Sequence, residues 1–190
     1  MPMPGKFTAD DFVDAAIRLI LAGGPGAATA VAVAEAVGAP SGSVYHRFPA
    51  RRDLLAAAWL TPVRRFHQDV LPLLAADGDP VAIGVAAARQ VLLWSAANPD
   101  EAALLARYSR SDFVGPDCSP AVLAEADTLD RRTADALGAF LARFPAADRA
   151  RVLLAVIDAP LALVRRSLAA GGPDADTAEL AADVARRLLD

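Results

Sequence analysis

The segment from Thr29 to Leu55, TAVAVAEAVGAPSGSVYHRFPARRDLL, constrains the fold of this chain more than any other part. A short run rich in Ala and Val, which the Thr29 hydroxyl can cap, ends at Gly38. Gly38 is free to adopt a positive φ and Pro40 cannot continue the first helix, so the chain must turn there. Ser41 can then cap a second short helix. The pattern predicts a helix-turn-helix.

The second helix of this pair carries four polar side chains in less than two turns: Ser43, Tyr45, His46 and Arg47. Such groups donate to phosphates and to the edges of bases. They could equally be ordinary surface residues of a short helix, but their place directly after the turn favours contact with DNA. Phe48, at the end of the helix, is expected to fill the core rather than to stack on a base.

The segment resembles the DNA-binding signature of the TetR family of bacterial transcriptional regulators. The residues that carry the resemblance are Thr29, 34–38, 41–45, Phe48, Arg51 and 54–55. The resemblance implies that the second helix of the pair enters the major groove, where the residues that read or grip it are Ser41, Ser43, Tyr45 and His46. It also implies that Thr29, Arg51 and Arg47 hold phosphates. Two positions depart from the family pattern. Val31 occupies a position at which related sequences often have a polar or basic side chain, and Arg51 occupies one at which Lys is more common.

The charge of the chain is unevenly distributed. The formal net charge is −4. Residues 38–68 nevertheless contain five Arg against one acid, whereas residues 69–190 contain twelve Arg against eighteen acids. DNA affinity depends on the local patch that neutralises phosphates rather than on the total charge. A basic cluster alone is most simply a solvated surface, but next to the turn motif it favours double-stranded DNA as the partner.

The rest of the sequence predicts an all-α fold of about nine helices. The chain is 55% hydrophobic and poor in aromatic residues, a composition typical of helices with an ample core. We expect a three-helix DNA-binding domain at residues 1–50 and a helical effector-binding and dimerisation domain at 51–190. Pro62 is expected to kink or interrupt the fourth helix, and 109–119 to form an irregular loop.

The eighth and ninth predicted helices, at about 147–169 and 174–189, are candidates for a dimer interface. Between Val152 and Val164 the eighth helix is apolar nearly all round, which leaves a second apolar face for a partner. The resemblance implies that helices 8 and 9 pair with their mates in a homodimer, which spaces two recognition helices for a pseudo-palindromic site. Leu161 and Leu163 are the proposed interface positions. The alternative is that the eighth helix is the core helix of a monomer.

The C-terminal domain is expected to hold a mainly apolar effector pocket. Large apolar residues beside few polar groups and many alanines are typical of small-molecule sites. The candidates, with Ser95 as a further polar group, are Gln90, Trp94, Tyr108, Phe113, Asp127, Phe140 and Asp158. Packing alone would also explain the apolar ones, and Asp158 could instead pair with Arg165 or Arg166. The negative balance of the domain favours a neutral or cationic ligand.

Several classes of protein are not supported by the sequence. No phosphate-binding Gly loop, nucleophile elbow, or pairing of His with Cys or Ser is evident, so we expect no enzyme and no cofactor. Two His and one Cys offer no metal-site spacing.

A single Cys118, no secretory signal and no membrane-length apolar segment indicate a cytoplasmic protein. The sequence therefore predicts a homodimeric repressor released by an unknown small molecule. The alternative is an architectural or partner-controlled DNA-binding factor without such an effector.

Overall fold

The fold is built from helices. A computed structural model describes residues 7–190, and within that range it contains helices, turns and loops but no strand. The helices are α1 (Ala9–Gly23), α2 (Ala30–Val37), α3 (Gly42–Arg47), α4 (Arg51–Leu74), α5 (Pro80–Ala97), α6 (Pro99–Arg107), α7 (Arg110–Phe113), α8 (Pro120–Leu141), α9 (Arg149–Leu153), α10 (Ala159–Leu168) and α11 (Ala175–Leu189). A 3₁₀ turn, Ala146–Asp148, precedes α9, and a π-helical turn, Leu154–Asp158, joins α9 to α10. The expected all-α fold is confirmed.

The helices form two compact units. The first comprises the described residues up to Pro62 together with Tyr108–Asp127, and the second comprises Val63–Arg107 with Thr128–Asp190. Helices α4 and α8 each contribute residues to both units. This division concerns packing, and the functional boundary expected at residue 50 stays a prediction.

Helix α1 begins with a reciprocal cap and is held in the first unit by its apolar face. The Asp11 amide donates to Thr8 Oγ1 at 3.2 Å, and the Thr8 amide donates to the Asp11 carboxylate at 2.6 Å. Hydrogen bonds from the Thr8 amide and then the Thr8 hydroxyl lower the pKa of the exposed Asp11 carboxyl. Phe12, Ile17 and Ile20 on this helix are fully buried, and α1 packs against α2.

Helix α7 lies in the stretch that was expected to be an irregular loop. The Ser109 amide and hydroxyl donate to Asp112 at 2.7 and 2.9 Å, which caps this single turn. The turn ends at Phe113, which is fully buried: its ring stacks on Trp59 at 5.5 Å between centroids and meets Tyr108 edge-on at 5.4 Å. Aromatic packing and the cap therefore order residues 109–113, and the loop that Gly115 and Pro116 predict is confined to residues 114–119.

Two prolines are accommodated inside helices in different ways. Helix α4 continues through Pro62, which is almost completely buried, so of the two outcomes that the sequence left open, a kink or an interruption, the interruption does not occur. The expected single helix at 147–169 is instead interrupted by the π turn, in which the Ala159 amide donates to the Leu154 carbonyl, five residues back. Because the ring of Pro160 would clash with the carbonyl of Val156 in a regular α-helix, the wider turn relieves that contact.

Helix α5 is the most apolar long helix of the described part of the chain. By length and composition it meets a simple criterion for a membrane span, contrary to the sequence-based expectation that no segment does. A core helix of a water-soluble protein meets the same criterion. Here α5 packs along α11 and also contacts α10 and α6 within the second unit. Its apolar character is therefore explained by packing.

The approach of α5 to its neighbours depends on Gly84. A Cβ atom built at Gly84 would lie 2.5 Å from Leu189 Cδ1, 3.2 Å from Phe140 Cζ and 3.4 Å from Val156 Cγ1. These neighbours belong to one buried cluster, so they have little room to move apart. By contrast, a Cβ atom built at Gly138 on α8 would meet nothing within 4 Å.

Gly84→Ala is therefore expected to lower the free energy of unfolding by about 1 kcal/mol, because overpacking outweighs the gain in helix propensity. Gly138→Ala is the matched control and should raise stability by roughly 0.5–1 kcal/mol, because only the propensity changes there. Thermal or urea denaturation of both variants measures the difference. Equal stabilisation at the two positions would show that α5 is not closely packed at Gly84.

Candidate nucleic-acid interface and ligand cavity

The turn between α2 and α3 has the geometry that the sequence predicts. Gly38 adopts the left-handed conformation, with φ 73° and ψ 29°. Its amide donates to Glu35, and the next amide, of Ala39, donates to the Ala34 carbonyl at 2.9 Å. These two bonds satisfy carbonyls at the end of α2, as in a Schellman motif. Ser41 is different from the prediction: its backbone is already helical and its hydroxyl makes no capping bond, so that hydroxyl is not used inside the turn.

Helix α3 is anchored by one apolar side chain and presents polar ones outward. Val44 is only 1% exposed, whereas Tyr45 is 54% exposed and His46 is also exposed. Ser43 is half-buried on the same short helix. An exposed Tyr on a helix held by one buried Val is suited to contact a partner. The arrangement agrees with a helix that enters a groove.

The two predicted phosphate ligands outside α3 lie near the start of α2. The Thr29 hydroxyl caps α2 by accepting from the Ala32 amide at 3.1 Å, and Thr29 is exposed. Arg51, the first residue of α4, extends back to this region, where its Nη2 donates to the Pro25 carbonyl at 2.9 Å and approaches that of Gly26 at 3.4 Å. The fold thus brings Arg51 to the loop that leads to Thr29, although the two are far apart in sequence.

Arg47 is the predicted DNA-contacting residue most involved in the fold itself. Its guanidinium lies 5.2 Å from the centroid of the Phe12 ring and donates to the carbonyls of Phe7 and Ser43. These contacts attach the end of α3 to the start of α1. A guanidinium has five N–H donors, so phosphate binding is compatible with them, but the structural role is the one that the sequence did not reveal.

The second unit contains an apolar cavity of about 280 Å³. It is lined by residues of α4, α5, α6, α8, the π turn and α10. The residues are Phe66, Val70, Leu71, Leu74, Ala87, Val91, Trp94, Ser95, Ala102, Leu105, Ala106, Thr133, Leu137, Val156, Ile157, Leu161 and Val164. Its volume is near the lower end of the range for small-molecule sites. The cavity lies among helices of the same group from which the pocket was expected, and it is open at the exposed residues Thr133 and Ile157.

Only one of the seven predicted pocket residues, Trp94, lines this cavity, together with the additional candidate Ser95. Tyr108, Phe113 and Asp127 belong to the first unit, where Asp127 accepts a hydrogen bond from Arg110 at 2.8 Å. The placement of these three beside the cavity is therefore wrong. Packing and the ion pair explain them instead.

The other three candidates are in the second unit but are absent from the cavity wall. Phe140 is fully buried in the apolar cluster beside α5, where it meets Phe144 edge-on at 5.3 Å. Gln90 is half-buried on α5. Asp158 is exposed, and no ion pair joins it to another described residue; Arg165 donates instead to the Ala106 carbonyl at 3.0 Å. The π turn places Asp158 in solvent, so neither alternative considered for it from the sequence is correct.

Behind the cavity wall lies a buried histidine, His67. His67 is 9% exposed, and its Nε2 is 2.9 Å from the Thr133 hydroxyl, while Nδ1 is buried with no hydrogen-bond partner among the described residues. Burial, reinforced by the positive charge of Arg132, lowers the pKa of His67 below its usual 6.5. The ring is therefore neutral at pH 7.

The comparisons with known proteins agree with this geometry. Residues 12–58 match the family model for bacterial regulatory proteins of the tetR family. No curated protein sequence matches the chain. Among solved structures, the fatty acid degradation regulator FadR from Bacillus halodurans has a TM-score of 0.71 at 16% identity, covering 96% of this chain and 98% of that one. The TetR family regulator PfmR from Thermus thermophilus has a TM-score of 0.70 at 19% identity, with 96% and 97% covered.

A further similar structure was solved with ligands. It is AibR in complex with isovaleryl coenzyme A and operator DNA, with a TM-score of 0.66 at 18% identity, covering 92% of this chain and 94% of that one. At such identities the similarity shows the fold alone.

The fold and the turn geometry define a helical protein with a helix-turn-helix formed by α2 and α3. More narrowly, residues 12–58 match the family model of the tetR family, and the fold of the chain is similar to that of TetR family regulators such as PfmR. The resemblance seen in the sequence is confirmed. The roles of individual residues stay predictions.

Proposed function

We propose that the chain is a ligand-released repressor that binds a pseudo-palindromic operator as a homodimer. The observation that carries the proposal is α3, a helix anchored by the buried Val44 that exposes Tyr45 and His46 directly after a turn of the required geometry. Thr29 caps α2 and Arg51 contacts the loop that precedes it, so both can hold the phosphates that fix the register of α3.

Arg51→Ala is expected to weaken binding to all duplex sequences alike and to lower the slope of log affinity against log salt by about one unit, because one phosphate contact is lost. Fluorescence anisotropy at several salt concentrations measures both effects. Arg131→Ala is the matched control: it removes the same charge from an exposed position on α8 and should leave the slope unchanged. An unchanged slope for Arg51→Ala would contradict the phosphate role.

The dimer is proposed through the last helices. Three of the large apolar side chains that the described structure leaves exposed lie there: Leu154 and Ile157 in the π turn and Leu180 on α11. Exposed apolar groups of this size on neighbouring elements are typical of an interface. A two-fold pair of chains would place two copies of α3 for successive major grooves, which lie about 34–36 Å apart.

Control by a ligand is proposed from the cavity. Its walls contain residues of α4, the helix that starts at Arg51, so a ligand there would contact the same helix that carries the phosphate ligand. The similar structure of AibR with isovaleryl coenzyme A and operator DNA supports a regulator that responds to a small molecule. A ligand shifts the equilibrium between binding-competent and released dimers only as far as its affinities for the two states differ.

The proposal is tested by selecting bound duplexes from a random pool and then adding candidate apolar compounds to the selected complex. At least one compound should release the wild-type chain from DNA. Ala106→Phe, which fills the cavity, should bind the same duplex and resist release. If no compound releases the wild-type chain from DNA, the chain is a DNA-binding factor without a small-molecule effector. If the same compound also releases Ala106→Phe, the effector binds outside this cavity.

A further inference from the structure

The polar groups of the cavity are few and uncharged. Of its seventeen lining residues, only three have a polar atom in the side chain: Trp94, Ser95 and Thr133. The remainder are Phe, Val, Leu, Ile and Ala. Hydrogen bonds from the lining side chains to a ligand are therefore limited to those that an indole N–H and two hydroxyls can make, and the direction in which each can bond limits the chemistry of the ligand.

The hydroxyl protons of Ser95 and Thr133 are already donated in hydrogen bonds within the protein. Ser95 Oγ donates to the Val91 carbonyl, four residues back, at 2.8 Å. Thr133 Oγ1 lies 3.2 Å from the Leu129 carbonyl and 2.9 Å from His67 Nε2. A hydroxyl has one proton, so whichever of the two neighbours accepts it, none remains for a ligand. Both hydroxyls consequently present lone pairs only, and they can accept a hydrogen bond but not donate one.

The indole of Trp94 is the opposite case, because its N–H can donate and cannot accept. A group that complements all three side chains must both donate and accept. An alcohol or phenol hydroxyl can accept from the indole and can donate its one proton to either Ser95 or Thr133. An ether or ester oxygen can only accept, so it would leave the lone pairs of Ser95 and Thr133 without a partner.

Charged ligands are disfavoured by what surrounds the cavity. No lining side chain is cationic, and His67 behind Thr133 is neutral because burial lowers its pKa. Arg65 is joined to the buried Glu101 by an ion pair. A carboxylate buried in the cavity would lose its hydration with no cationic side chain in the lining to compensate, and an ammonium would find no carboxylate in the lining.

We propose that the cavity binds an uncharged, mainly hydrocarbon molecule that carries a hydroxyl group. The volume of about 280 Å³ corresponds to roughly ten non-hydrogen atoms, at about 30 Å³ for each water-sized group. The inference rests on the proposed function for its regulatory meaning, because it names the class of ligand for the same site. It narrows the sequence-based expectation of a neutral or cationic ligand to a neutral one.

The test compares three small probes by calorimetric titration of the full chain at pH 7 without DNA. These are 1-octanol, its isomer 1-methoxyheptane, which lacks the donor, and octanoate. We expect 1-octanol to bind between about 2-fold and 10-fold more tightly than the isomeric ether, the effect of one hydrogen bond. Octanoate should bind at least about 10-fold more weakly than the alcohol, the effect of an uncompensated charge.

Substitutions in the lining identify the side chains that cause the preference for 1-octanol over the ether. Ser95→Ala should reduce the preference for the alcohol over the ether, and Ser95→Ala combined with Thr133→Val should remove it. If loss of the Thr133 bond to His67 unfolds the double variant, Ser95→Ala alone still decides, because its hydroxyl bonds only within α5. Ala106→Phe should abolish the binding of every probe.

Three results would overturn the inference: octanoate or the ether binding as tightly as 1-octanol, no binding by any probe, or binding that survives Ala106→Phe. Release of the selected DNA complex is measured separately with 1-octanol and with octanoyl-coenzyme A. If 1-octanol binds with the expected preference but does not release DNA, the inference is supported and the ligand-released repressor is contradicted. If only octanoyl-coenzyme A releases the DNA, and it binds the chain more tightly than 1-octanol does, the inference about the ligand class fails while the proposed function stands.

Discussion

Leu154→Glu is expected to convert the dimer to monomers and to lower operator affinity toward the level of nonspecific binding. For DNA-binding proteins that level lies about 1000-fold or more below specific binding. Leu154 is 44% exposed in the single chain, so the substitution leaves the core intact, but in the proposed dimer it would bury a carboxylate without a partner. A monomer contacts one half-site only and loses the contacts of the other.

Sedimentation equilibrium at micromolar concentration measures the mass, and anisotropy measures operator binding. Leu180→Glu, on α11, should have the same effect, while Ala76→Glu, an exposed position in the loop after α4, should have none. Leu161 and Leu163, the interface positions suggested by the sequence, are unsuitable because Leu161 lines the cavity and Leu163 packs against a buried cluster. A wild-type chain that is monomeric at this concentration would contradict the dimer.

Tyr45→Ala and His46→Ala are each expected to cost about 1–3 kcal/mol on the preferred operator and less on random duplex, because base contacts specify sequence whereas phosphate contacts do not. The fold should survive both changes, since both side chains are exposed. Competition anisotropy with operator and random duplexes gives the two affinities for each variant.

Tyr45→Phe is the conservative control for this prediction. It keeps the ring and removes only the hydroxyl, so it separates a hydrogen bond to a base edge from apolar contact with a thymine methyl group. Thermal unfolding of each variant checks that the helix is intact. Equal losses on operator and random duplexes would mean that α3 positions the protein on DNA without reading the sequence.

The helix-turn-helix was predictable because its signals are local. A capping Thr29, a left-handed Gly38 and the following Pro40 act within a few residues, and each does in the structure what its chemistry dictates. Ser41 is the exception: the chain is already helical there, so its backbone carbonyl serves the turn and its hydroxyl does not cap. The contact of Arg51 with the loop at Pro25 joins distant residues, and no local signal reveals it.

The second unit was predictable in kind but not in detail. Its helical character follows from composition, yet the cavity wall is assembled from α4, α5, α6, α8 and α10, and periodicity within one helix does not say which other helix it faces. Thr133 was missed for this reason. Asp158 was misjudged because the π turn shifts the register before Pro160, so a residue in an apolar run is exposed.

The central claim is that two copies of α3 read two half-sites of one duplex. It is tested most directly by hydroxyl-radical footprinting of the wild-type chain on a duplex selected from a random pool, with the stoichiometry measured by sedimentation. The account predicts two chains per duplex and two related protected half-sites, with their centres one helical turn or a multiple of it apart, about 10–10.5 base pairs per turn. One chain on a single protected patch, or no enrichment of any sequence in the selection, would contradict it.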